Sequence, residues 1–116
     1  FEYYVDDIER FFTQQFDFLI DYNTELLDCI LNLLKIPHTI TYSENFAPLH
    51  TETQDFRYAI SPKVTIPDVH FPEYPQVFDY KFGFTPNLCI LDLLCNLGPE
   101  SKQYLESIDF GTISPR

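Results

Sequence analysis

A chain of 116 residues has room for one hydrophobic core and not for two, so residues 1–116 read as a single domain. Its formal net charge of −11 excludes a nucleic-acid binder working through a basic face, since phosphate affinity needs clustered Lys and Arg. No apolar run approaches the roughly 20 residues that cross a bilayer, so a soluble chain with no membrane span is expected, and three cysteines in apolar runs, read as reduced thiols, point to a cytoplasmic one.

The chain contains no Met, at position 1 or elsewhere, and opens on FEYYVDD. We expect from this a piece of a longer or processed protein. The spacing of Tyr4 or Val5, Ile8, Phe11 and Phe12 predicts a first helix over 2–14, with Asp6, Asp7, Glu9 and Arg10 off its apolar stripe. Asp17 is placed to cap a second helix over 18–35, with Leu19, Asn23, Leu26, Leu27, Ile30 and Leu34 inward. Ile36-Pro37 ends it, because the residue before a proline is pushed out of the α region. Asn23 breaks the apolar stripe, and the reading favours an amide hydrogen-bonded within the fold over one reaching a ligand.

Glu2, Asp6, Asp7, Glu9, Asp17, Asp21, Glu25 and Asp28 face only Arg10 and Lys35 in this first third. A solvated outer surface accounts for such acidity, and docking to a basic partner is the sharper alternative. HTITYS, over 38–43, alternates β-branched and aromatic residues and predicts a short strand. Its partner is either 63–66 or a sheet contributed by other sequence.

Pro48, Pro62, Pro67, Pro72 and Pro75 punctuate a long connection over 44–75, with a single helical turn predicted at 55–60. Tyr74 to Phe84 reads as a turn of helix ended at Gly83. The stretch FTPNLCILDLLCNLGP, over 84–99, then predicts the central helix, capped by Thr85, opened by Pro86 and stopped at Gly98-Pro99. Leu88, Cys89, Ile90, Leu91, Leu93, Leu94, Cys95 and Leu97 fall almost all round that helix, leaving a polar notch at Asp92 and Asn96. Such a helix needs neighbours on every side. A last helix over 99–107 follows, with Tyr104 and Leu105 as its apolar contacts, and GTISPR reads as a frayed tail. The fold class is therefore mostly α, a helical domain with a short minor β element and a long Pro-rich connection.

Little here carries chemistry by spacing alone. Cys29, Cys89 and Cys95 lie in apolar helical runs and fit buried, reduced thiols. His38, His50 and His70 share no metal-ligand spacing, no Gly-rich phosphate loop exists, and no cofactor is indicated. Asp92 is the most informative residue. A carboxylate on an apolar helix must be paired or neutralised. Arg57, Lys81 or a Tyr hydroxyl would satisfy it, or it lines a pocket as an acid, a base or an acceptor for a sugar hydroxyl. Arg57, Lys63 and Lys81, with Gln76 and Asn87, form a candidate ligand-binding set for the phosphate or carboxylate of a nucleotide-sugar. Surface pairing with Asp55, Asp68 or Asp79 is the competing account.

The segments Tyr74-Pro75-Gln76-Val77-Phe78, Gly83-Phe84 and PNLCILDLLCNLGPES, with FEYYVDD, FDFLIDYN and DFRYAISPK upstream, resemble the C-terminal portion of the WbqC-like protein family. The resemblance covers most of the chain, and it is least constrained over 44–55. Family members are longer, and their Tyr-, His- and Arg-rich N-terminal part has no counterpart here. The resemblance implies a bacterial setting, surface-polysaccharide (O-antigen-type) biosynthesis, without implying a reaction. Two functions follow as expectations. One is a helical supporting or dimerisation portion, partnered by the remaining N-terminal part or by a second copy. The other is part of a transferase acting on a nucleotide-sugar, with Arg57, Lys63 and Asp92 at a shared cleft. Docking through the acidic helices ranks third and would show strong salt dependence.

Overall fold

Apolar residues at helical spacing build the first hairpin of the molecule. The computed structural model describes residues 1–46, 48, 57 and 69–111. About half of the structure is helical and about 2% is strand, which makes the fold mostly α. Helix α1 spans Val5–Thr13, with Asp6 and Asp7 in its first turn and Arg10 in its last, the arrangement its dipole favours. It starts later than the sequence predicts, because Tyr4 N–H and Val5 N–H both donate to Phe1 O and close a turn first. Tyr4, Ile8 and Phe11, at i, i+4 and i+7, are buried. Phe12, expected on the same stripe, is 79% exposed.

Helix α2 spans Leu19–Leu33. Phe18 rather than Asp17 stands at its N-cap, in extended conformation and with no side-chain cap bond. The Arg10 Nη1 to Glu25 Oε2 contact at 3.1 Å ties it to α1. Phe11, Phe16 and Tyr22 pack beside that pair, with Phe16 and Tyr22 edge to face at 5.2 Å. Of the predicted inner stripe, Ile30 and Leu34 hold and the N-terminal part does not. Ile30, Leu33 and Leu34 reach the core, whereas Leu19, Asn23 and Leu27 face outward. Leu26, Ile30 and Leu34 fall at i, i+4 and i+8, and the other described helices cover that stripe at its C-terminal end, whereas the row from Leu19 to Leu27 is interrupted by Asn23. Asn23 is accordingly an exposed amide and not a buried one.

The helix ends on a left-handed residue. Lys35 has φ 55°, its N–H donates to Asn32 O at 3.0 Å, and Ile36 N–H donates to Leu31 O at 2.9 Å. These are the two bonds of a Schellman cap, and Gly is the residue usually found at this position. The predicted strand at 38–43 does not form. That segment makes no ladder among the described residues; it is held to α2 by side chains instead, as shown below. An isolated strand has nothing to satisfy its backbone groups, so side-chain contacts decide its path. The β element lies elsewhere, as an antiparallel bridge between His70 and Asp109, with His70 N–H donating to Asp109 O at 2.8 Å.

Helix α3 is one turn, Asp79–Phe82, and Gly83 at φ 69° breaks it. Helix α4 spans Ile90–Leu97, a turn shorter than predicted. Asn87 adopts φ 57°, a left-handed conformation that no α-helix passes through. Thr85 is not the cap; Cys89 is, without a side-chain bond. A 3₁₀ turn, Gly98–Glu100, leads into helix α5, Ser101–Ser107. Ser101 is fully buried, and its Oγ donates to Leu93 O at 3.3 Å, joining α5 to α4.

Tyr4, Ile8, Leu34 and Leu94 form the core, with Ile30, Leu33, Ile36, Ile90, Leu91 and Leu105 packed against it. So α4 is enclosed by α1, the end of α2 and α5 on its Leu91 and Leu94 sides. The enclosure is not complete: Leu88 is 46% exposed, and Cys89 and Cys95 are exposed free thiols. Cys29 alone is half-buried, with its thiol against Asp7 O at 3.7 Å. Lys63, His50, the 63–66 strand and, apart from Arg57, the helical turn at 55–60 lie outside the described residues. No helix among the described residues is long and apolar enough to cross a membrane.

Candidate functional site

Two prolines direct the segment that builds the site. Pro72 and Pro75 hold the chain extended around Tyr74, which is 9% exposed. Its hydroxyl donates to Asp92 Oδ2 at 2.6 Å. Its ring meets Phe84 edge to face at 5.3 Å and Tyr104 at 5.0 Å. The Tyr104 hydroxyl donates to Pro72 O at 2.6 Å, so α5 anchors the extended segment from the other side. Burial, and then the bond to Asp92, pushes the Tyr74 phenol up to about 12. Burial raises Tyr104 as well. At neutral pH both remain hydroxyl donors.

Asp92 sits on the first turn of α4. Besides the tyrosine bond on Oδ2, Asn96 Nδ2 donates to its Oδ1 at 3.2 Å and to its backbone carbonyl at 2.7 Å. The polar notch expected of Asp92 and Asn96 is thus real, and a tyrosine hydroxyl, neither Arg57 nor Lys81, is what the structure shows on the carboxylate. Gln76 is 9% exposed and reads the backbone of Thr85 in both directions. Its Nε2 donates to Thr85 O at 2.8 Å, and Thr85 N–H donates to its Oε1 at 2.9 Å. This pairing occupies the Thr85 carbonyl that an N-cap residue would give to the first bond of a helix.

Two clefts flank α4. One, of about 290 Å³, is lined by Gln76, Phe78, Phe82, Thr85, Leu88 and Asp92, among others. The second, of about 200 Å³, includes Tyr74, Asn87, Leu88, Leu93 and Tyr104. Gln76 and Asp92 therefore share a wall, and Asn87 lines the neighbouring cleft. Lys81 is in neither lining; its ammonium stands 5.1 Å from the Phe82 ring. Arg57 is exposed, with its guanidinium 5.2 Å from the Phe46 ring, and is also in neither lining. The larger cleft offers aromatic walls and carboxylate lone pairs, which suit hydroxyl or ammonium donors. No Lys or Arg stands among the described residues of either lining.

The residue that organises this region, Tyr74, is one the sequence reading leaves among several tyrosines. The signal available was its place between Pro72 and Pro75, which keeps it out of a helix. No group of three or more His, Cys, Asp or Glu among the described residues is placed to hold a metal ion.

The site and fold define an α-helical protein with an aromatic, carboxylate-bearing cleft beside its central helix. No family model, no curated protein and no solved structure matches the chain.

Proposed function

We propose that this chain is a helical supporting and dimerisation portion of a WbqC-like protein, serving cytoplasmic biosynthesis of bacterial surface polysaccharide. The family and its setting rest on the resemblance of the segments around Tyr74 to Phe78 and PNLCILDLLCNLGPES. The observation that carries the assembly role is the outer face of α2. The helix buries none of its residues fully, and Leu19, Ile20 and Leu27 are 73%, 57% and 50% exposed. Together with Asn23 and Thr24 they form one shallow groove, with no charged side chain among the described residues of its lining. Single exposed leucines are ordinary, but Leu19, Ile20 and Leu27 together make an apolar face along one side of the helix, and helices pair through such faces. Asn23 midway along it supplies a polar group that can set register between two copies.

The test is sedimentation equilibrium of the wild-type chain and of a Leu19→Asp, Leu27→Asp double variant. Dimer in the first and monomer in the second, with unchanged helical circular dichroism, is the expected result. A wild type that stays monomeric at tens of micromolar overturns the dimerisation role.

One observation favours the transferase reading, the shared aromatic cleft of Gln76 and Asp92. That reading needs Arg57 and Lys63 at the same cleft. Arg57→Ala weakening the binding of a nucleotide-sugar without lowering thermal stability would support it; loss of stability with no ligand effect would count against it.

A further inference from the structure

The chain does not leave α2 when the helix ends. The left-handed turn at Lys35 sends residues 36–42 back beside it, and two side chains fasten them there. The His38 ring lies with Nε2 2.7 Å from Asp28 Oδ1 and Nδ1 2.8 Å from Ile36 O. Four residues on, the Tyr42 hydroxyl donates to Thr24 Oγ1 at 2.9 Å. Asp28 is itself held, since Asn32 Nδ2 donates to its other carboxylate oxygen at 3.0 Å. The His38 side chain is 15% exposed and that of Asp28 54%.

A neutral imidazole has one N–H and one lone pair, whereas both atoms facing this ring are acceptors. A backbone carbonyl cannot donate, and neither can an ionised carboxylate. With a neutral ring, one of the two short contacts would set lone pair against lone pair. Only the doubly protonated ring satisfies both.

We propose that His38 is held as an imidazolium that clips residues 36–42 onto α2 through Asp28, and that loss of its proton opens the clip. Asp28, on α2, is the charged group acting on the ring, and residues 36–42 carry no Asp, Glu, Lys or Arg of their own. The His38 pKa is raised above the usual 6.5, first by the Ile36 carbonyl and next by Asp28, against a smaller opposing effect of burial. A raised value in the folded state means that the clip's stabilisation is complete below the unfolded pKa. It is lost as pH rises through the folded one. The device therefore holds in mildly acidic solution and loosens on the alkaline side.

An NMR titration of the whole chain, following the His38 ring and the backbone amides of residues 39–42, tests this. The expected result is one shared midpoint, above 6.5, which falls in Asp28→Asn and takes the coupled amide shifts with it. Asp28 is half-exposed, so that variant should keep its helix. His38→Gln, which cannot titrate, should abolish the pH dependence of the same amides and serves as the check if Asp28→Asn loses helicity. A His38 midpoint unchanged by Asp28→Asn, or amides of 39–42 that ignore the titration of His38, overturns the proposal.

Discussion

Tyr74 does two jobs with one side chain: its ring fills the space between Phe84 and Tyr104, and its hydroxyl satisfies Asp92. Tyr74→Phe separates them, because it keeps the ring and deletes the bond. A hydrogen bond to a charged acceptor contributes about 1.5–3 kcal/mol, and urea denaturation should show a loss of that order. The wild-type phenol should ionise only near pH 12 in a spectrophotometric titration. Its stabilising contribution is thus complete below the ordinary tyrosine pKa and is lost as pH climbs through the raised one. Lys35 is the opposite kind of residue, one that the backbone tolerates at a cost. At φ 55° a side chain is strained and glycine is not. Lys35→Gly should raise stability by about 1 kcal/mol, and an increase in the urea midpoint at unchanged slope would show it.

At the scale of elements, α4 is the piece on which α1, α2 and α5 converge, and its two ends behave differently. Leu94 is 1% exposed, in the core with Tyr4, Ile8 and Leu34. Leu94→Ala should cost about 2–5 kcal/mol, the range for a buried leucine whose site cannot collapse. Leu88, nearly half exposed before the helix begins, should cost well under half of that when changed to Ala. Thermal unfolding of the two variants side by side measures the contrast; equal losses would mean that Leu88 is covered by something more than the described residues. The late start of α4 has a local cause. Gln76 holds Thr85 by both of its backbone groups, and Asn87 turns left-handed, so the amides after Thr85 are not arranged as the first turn of a helix for it to cap.

For the molecule as a whole, strong negative charge and broad apolar exposure coexist. Phe12, Leu19, Ile20, Val77, Phe78 and Phe82 are all more than half exposed. Charge of one sign keeps such surfaces apart, since two copies at −11 repel each other. Self-association through the α2 face should therefore strengthen from low to high salt, whereas docking of the acidic helices on a basic partner should weaken. Sedimentation at two ionic strengths distinguishes these outcomes.

What the amino-acid order determined by itself was local. Helical spacing of Tyr4, Ile8 and Phe11, the stop at Gly98-Pro99 and the Asp92–Asn96 notch each depend on residues within a few positions of one another, and all are present. The mostly α class follows from them. Tertiary structure decided everything that required choosing between equivalent local options. The spacing on α2 put Leu19, Asn23, Leu26, Leu27, Ile30 and Leu34 on one inner stripe, and packing in the core took only the part ending at Leu34. Several tyrosines were candidates for Asp92, and the path between Pro72 and Pro75 delivered Tyr74. HTITYS had the composition of a strand, yet strand formation is settled by a neighbour with free backbone groups, and here Asp28 and Thr24 hold the segment by its side chains. Periodicity reports which faces are apolar; only the contacts of distant segments determine which face is covered, because that choice is made by the free energy of the whole packing and not of the helix alone.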